Sequence, residues 1–134
     1  MSIEHIYPRS PVAGDWPAFE AHPPERRAIL QNSLGNLLAL SQSKNSKLSN
    51  RPFSAKKQNA DGARGYFNGS YIEIRVSKES DWHPATVLNR GLEMLEFLEH
   101  RWKVSLGKRH DKLKLLHLEF LEPVGAASHT EIQS

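Results

Sequence analysis

Cysteine is absent from the chain of 134 residues, which excludes disulfides and thiolate-bound zinc and leaves packing to hold the core. No stretch approaches the roughly 20 consecutive apolar residues that cross a bilayer. The N-terminus has neither the basic nor the apolar region of a secretory signal, so a cytoplasmic protein is expected. No internal repeat is visible. What is there, 38% hydrophobic and 25% charged residues, suits a soluble globular protein with one modest core.

Acidic residues are scarce in two places, although net charge is only +3. Between Ser43 and Arg64, Lys44, Lys47, Arg51, Lys56, Lys57 and Arg64 face the single acid Asp61. Between Arg101 and Lys114, a second basic run is opposed only by Asp111. Solvated surface explains either run alone. The first, however, adjoins the motif described below, where cations would neutralise phosphates and fix a nucleic-acid backbone. Lys44, Lys47, Arg51 and Lys56 are the candidate contacts.

Element by element, Met1 to Tyr7 reads as a short strand stopped by Pro8. Pro11, Gly14, Pro17 and Pro23 make a loop of residues 9–23, tucked to the core by Trp16 and Phe19. Pro24 suits a first helical position, and Glu25 to Asn32 should give two turns with Ile29 and Leu30 inward. The apolar run Leu37 to Leu40 reads as a buried strand within Asn36–Ser41. A helix from Ser43 to Asn50 follows, with Ser43 available as its cap, and then a short helix over Phe53 to Asn59. Asp61-Gly62, Gly65, Asn68 and Gly69 mark a flexible connection. Tyr71 to Val76 alternates partly at period two, which leaves strand and helix both open. Pro84 opens the clearest helix, with Val87, Leu88, Leu92, Met94, Leu95, Leu98 and Trp102 as its apolar stripe. Leu113 to Leu121 reads as a further helix.

Four residues carry chemistry. Glu4 and His5 lie on the first strand, and Asn36 and Asn45 stand nine positions apart on the second strand and the helix after it. Phosphodiester hydrolysis needs an activated water, a neutralised phosphate and a stabilised leaving oxygen. A neutral histidine can take the proton while one divalent ion handles the charge. Carboxylate and amide oxygens, from Glu4 and Asn45, suit a hard ion such as Mg²⁺. Asn36 both donates and accepts, so it can tie the loop after strand one to strand two and aim His5. The remaining histidines, His22, His83, His100, His110 and His117, show no ligand spacing and read as surface or half-buried. Trp82 and Trp102 read as core anchors of the long helix. Tyr66 and Phe67 read as packing residues, with base stacking as the alternative.

Glu4-His5-Ile6-Tyr7-Pro8-Arg9-Ser10, Leu34-Gly35-Asn36-Leu37-Leu38-Ala39-Leu40-Ser41 and Lys44-Asn45-Ser46-Lys47-Leu48-Ser49-Asn50 together resemble an HNH nuclease of the ββα-metal fold. More narrowly they resemble the C-terminal nuclease domain of GmrSD-type modification-dependent restriction enzymes, and Asp81-Trp82-His83-Pro84 with Arg90 extends the likeness. The resemblance implies an α+β, mostly helical protein with a two-stranded hairpin. Its ββα-metal core would lie at about 3–50 and a helical extension at 51–122, followed by a flexible tail, 123–134. It implies His5 as general base, Glu4 and Asn45 as ligands of Mg²⁺ (or Mn²⁺), Asn36 ordering the loop, and cleavage of DNA, modified or not, leaving a 5′ phosphate. Two departures stand out. Glu4 replaces the more usual Asp, and the Asp-Gly-Gln-Gln-Arg motif of the family's N-terminal nucleotide-hydrolysing domain is absent, since Asp61-Gly62-Ala63-Arg64 does not match it. The expectation is therefore the nuclease module of a restriction or phage-defence system, its nucleotide-hydrolysing domain or partner subunit missing. The competing expectation is a catalytically silent nucleic-acid-binding or protein-interaction module on the same fold.

Overall fold

The computed structural model describes residues 1–58 and 65–123. The connection expected around Asp61, Gly62 and Arg64, and residues 124–134 of the expected tail, lie outside the described residues. Two short strands, β1 (Ser2–His5) and β2 (Leu37–Leu40), pair antiparallel with Glu4 opposite Leu38 and His5 opposite Leu37. Around them lie α1 (Pro17–Glu20), α2 (Pro24–Asn32), α3 (Gln42–Leu48), α4 (Phe53–Lys57), α5 (Tyr71–Ser77), α6 (Pro84–Trp102) and α7 (Arg109–Leu116). The chain is thus α+β and mostly helical, with one two-stranded antiparallel sheet among the described residues.

Local chemistry sets most boundaries. Pro24 and Pro84 occupy first helical positions, where a missing N–H costs nothing. α3 begins one residue earlier than expected. Ser41, not Ser43, is its cap, and its hydroxyl accepts from the Lys44 N–H at 3.3 Å. Ser49, at φ 42°, turns the chain out of the helix, so α3 stops short of Asn50. The segment from Tyr71, open between strand and helix, is helical because Ser70 and Glu73 form a reciprocal cap across its first turn. The apolar run from Leu113 does not continue to Leu121 as one helix. His117 in the left-handed region (φ 59°) ends α7, and a separate 3-10 turn covers Glu119–Leu121.

The core gathers the residues after β1 against the helices. Tyr7 stacks on Phe19 with ring centroids 3.9 Å apart, and Trp16 lies 5.5 Å from Tyr7, so the proline-rich stretch is pinned by aromatic contact, as expected. Within that stretch the chain also forms α1, where a loop was expected. Trp82 is buried at 2% exposure, whereas Trp102 is 60% exposed and is no core anchor. Of the α6 stripe, Val87, Leu88, Leu92 and Leu95 are buried and Met94 half-buried, but Leu98 and Trp102 are exposed. A helix of this length runs about 28 Å and outreaches the core it covers.

α6 packs directly on the 3-10 turn Leu34–Asn36 that leads into β2. A Cβ at Gly35 would fall 1.9 Å from the Val87 carbonyl oxygen and 2.8 Å from the Gly91 nitrogen. Both are helix backbone atoms and cannot swing aside. Gly35→Ala is therefore expected to destabilise the protein by about 3 kcal/mol, at the upper end of overpacking costs. A chemical-denaturation curve indistinguishable from that of the wild type would contradict this close approach.

Candidate functional site

Asn36 is completely buried, and all of its amide's hydrogen-bonding capacity is used. Its Oδ1 accepts from the Tyr7 N–H at 2.8 Å and from the Trp82 indole N–H at 3.0 Å. Its Nδ2 donates to the carbonyls of Tyr7 and Gln31, each at 2.9 Å. The Ile6 N–H adds a backbone bond to the Asn36 carbonyl at 3.0 Å. The chain leaving β1 is thereby fixed to the turn before β2 and to the end of α2. Arg90 completes the clamp from α6, its guanidinium donating to Gly35 O at 2.9 Å and to Leu37 O at 2.7 Å. None of the Asn36 side-chain hydrogen bonds goes to the His5 ring or to Asn45. The Asn36 side chain holds the chain leaving β1 through backbone groups of Tyr7 and Gln31 and through the Trp82 indole.

His5 is half-buried on β1, where successive side chains point to opposite faces, so its ring leaves the strand away from buried Glu4. Its Nε2 lies 3.3 Å from Asn32 Oδ1, at the last residue of α2. Burial holds the imidazole below its ordinary pKa of 6.5, and the nearby Arg9 and Lys56 charges push the same way, while the Asn32 bond partly opposes them. The ring is consequently neutral at pH 7, as a proton acceptor must be.

Glu4 departs from expectation. Its carboxylate is 2% exposed, accepts from the Tyr66 hydroxyl at 2.6 Å and pairs with the Lys56 ammonium at 3.2 Å. Lys56 is wholly buried and also donates to the carbonyls of His5 and Ile6, both at 3.0 Å. Burial pushes the Glu4 carboxyl up and the Lys56 ammonium down, and their mutual attraction opposes both shifts. Burial likewise raises the Tyr66 phenol, so it stays a donor to Glu4. Lys56 is therefore an internal counterion and not a phosphate contact, because its charge is spent on Glu4 and two carbonyls. Tyr66 is a packing and hydrogen-bonding residue rather than a stacking platform, while Phe67 is 56% exposed.

Asn45 lies beside the same strand. Its Nδ2 donates to Ser2 Oγ at 2.6 Å and to Ile3 O at 3.0 Å, which directs Oδ1 away from the β1 backbone. Carboxylate and amide are oxygen donors of the type Mg²⁺ prefers, yet the Glu4 charge is already compensated by Lys56. Among the described residues, no group of three or more His, Cys, Asp or Glu side chains is placed to hold a metal. As folded, these residues do not fit a resident ion shared by Glu4 and Asn45. The other expected cations divide. Lys44 pairs with Glu73 on α5, so it is not a free phosphate contact. Lys47 is exposed and Arg51 half-buried, and both remain candidates.

Sequence reading missed Asn32, the partner of His5, and the pairing of Glu4 with Lys56 and Tyr66. Arg90 stood out only as part of the distal motif. None of these contacts has a short-range signal, since each joins residues at least 27 positions apart. A groove between α5 and α6, of about 650 Å³ and lined by Tyr71, Ile72, Trp82, His83, Met94 and Phe97, includes none of His5, Asn32 or Asn45.

Residues 1–97 match the family model described as the C-terminal domain of GmrSD restriction endonucleases. The chain belongs to this family. The match covers β1, β2, α3 and α6 almost to its end, and so contains every contact described for His5, Asn36 and Glu4. No characterised protein and no solved structure gives a significant match. No helix among the described residues is long and apolar enough to cross a membrane.

The Glu4–Lys56 pair makes a stability prediction. Lys56→Met leaves a buried carboxylate uncompensated and should cost about 3–5 kcal/mol. Glu4→Gln combined with Lys56→Met removes both charges and should be the more stable of the two variants in urea. With Glu4→Gln alone completing the cycle, a double-variant loss equal to the sum of the two single losses would show that the groups do not interact.

Proposed function

We propose that the chain is a DNA nuclease domain that nicks duplex DNA by hydrolysing phosphodiester bonds. His5 is the general base that takes the proton of the attacking water. The observation that carries this reading is the half-buried His5 imidazole, set on the strand that Asn36 bolts in place within a GmrSD C-terminal domain. Lys47, on α3, and Arg51, just after it, are the cations this reading assigns to the phosphate backbone. The resemblance adds a 5′-phosphate product and a divalent cation, Mg²⁺ or Mn²⁺. No step is assigned to an ion at Glu4, because Lys56 occupies that carboxylate.

Relaxation of supercoiled plasmid tests the proposal. Wild type should nick in Mg²⁺ or Mn²⁺, and His5→Ala should lose about 10²–10⁴-fold in rate, the usual contribution of a positioned base. Undiminished nicking by His5→Ala would overturn the assignment. Lys47→Ala and Arg51→Ala should each weaken DNA binding and lower the slope of log K against log salt by about one.

The pH profile supplies a second check. Only the unprotonated ring can accept a proton, and the His5 pKa is lowered in the fold. The nicking rate should therefore rise with pH through a midpoint below 6.5 and be flat above it. A midpoint above 6.5 would contradict the burial of the ring.

The second reading, a catalytically silent nucleic-acid-binding module, draws on the same Glu4–Lys56 pair, which neutralises the carboxylate beside His5. Under it, salt-dependent DNA binding persists without nicking in either ion, and His5→Ala changes neither.

A further inference from the structure

We propose that Asn32 is the positioning residue of the site: its side-chain carbonyl holds the Nε2–H of His5, fixes the plane of the ring and leaves Nδ1 as the atom that accepts the proton. The inference rests on the nuclease reading for its catalytic meaning, and on geometry alone for the contact itself.

The orientation of the Asn32 amide is set by the helix that carries it. Its Nδ2 donates to the Ala28 carbonyl, one turn earlier in α2, at 3.0 Å. This aims Oδ1 at His5, with Nε2 3.3 Å away. A carbonyl oxygen has no hydrogen to give, so the imidazole nitrogen facing it must carry one. In a neutral ring the lone pair then resides on Nδ1. A neutral amide restrains the ring without adding a charge that would hold a second proton on it.

The two partners come from elements locked to each other. Gln31, the neighbour of Asn32, accepts from Asn36 Nδ2 through its backbone carbonyl and donates from its own side chain to Pro8 O at 3.1 Å. The end of α2 therefore cannot drift relative to the chain leaving β1, and the Asn32–His5 distance is fixed by the same amide that orders the loop. Asn32 itself is exposed, so its substitution leaves the core intact.

Three variants measured on the whole chain decide the matter. Asn32→Ala removes both the Ala28 bond and the His5 bond, whereas Asn32→Asp removes the Ala28 donor and keeps an acceptor for His5. If Asn32 positions the ring, Asn32→Ala should lower kcat for plasmid nicking about tenfold with KM nearly unchanged, and Asn32→Asp should recover most of that loss when kcat is compared on the alkaline plateau of each variant's pH profile, above the midpoint that the added carboxylate raises. Equal kcat in wild type and Asn32→Ala, equal loss in both variants, or an effect confined to KM would overturn the proposal. A ¹⁵N-edited spectrum gives a readout free of activity. The His5 Nε2–H resonance should be visible and slow to exchange in the wild type and lost in Asn32→Ala, and its persistence in that variant would also overturn the proposal. His5→Ala separates the two levels. Full nicking by His5→Ala would sink the nuclease assignment of His5, while the spectrum would still decide the Asn32 contact.

Discussion

One buried amide organises this fold. Asn36 joins three stretches that are remote in sequence: the exit from β1 at Tyr7, the end of α2 at Gln31 with its own turn before β2, and Trp82 ahead of α6. A two-stranded sheet is marginal by itself in water, and β1 and β2 are each only four residues long. Their register is therefore held from outside the sheet. Asn36 acts at one end, and Gly35 and Arg90 bind the same turn to α6. An amide with every bonding position satisfied by groups of fixed geometry admits a single arrangement. Carboxylate, hydroxyl or apolar substitutes would each strand a buried partner.

The same constraint sets the chemistry. His5 makes no hydrogen bond to Asn36, yet the residues on either side of its site, Tyr7 and Gln31, both do. Rigidity passes through backbone rather than through a relay of side chains. Glu4 illustrates the opposite choice. Placed on the inner face of the strand by the pleat, it is neutralised from α4 by Lys56 and capped by Tyr66. Adjacent positions on one strand thus serve different ends, with one side chain holding the interior together and the next presented at the surface.

Much of this was legible in the sequence, and the rest was hidden for identifiable reasons. The strands, α2, α3 and α6 follow from apolar runs bounded by proline, glycine and capping residues, and the loop-ordering role of Asn36 follows from an amide's dual bonding. Tyr71 to Val76 stayed ambiguous because its apolar pattern fits either period, and what settles it is the pair Ser70 and Glu73. Trp102 looked buried because periodicity reports a face and not how far along the helix the core extends. Local charge alone marks Lys44 and Lys56 as phosphate contacts. Their partners, Glu73 and Glu4, lie 29 and 52 positions away, and only the tertiary fold reveals that those charges are spent. Asn32 was invisible for the same reason.

The side chains of Asn45 and Lys56 have one more effect. They bond the carbonyls of Ile3 and His5, alternate residues whose peptide groups face the same way. β1 has β2 on one flank, and its other flank is already occupied by an amide and an ammonium. That edge of β1 is closed: no third strand, whether from another protein or from a second molecule of this one, can zip onto it by main-chain pairing while those bonds hold. A strand approaching from this side would first have to displace Asn45 and Lys56, so the residues that frame the site also guard the edge of the strand that carries His5.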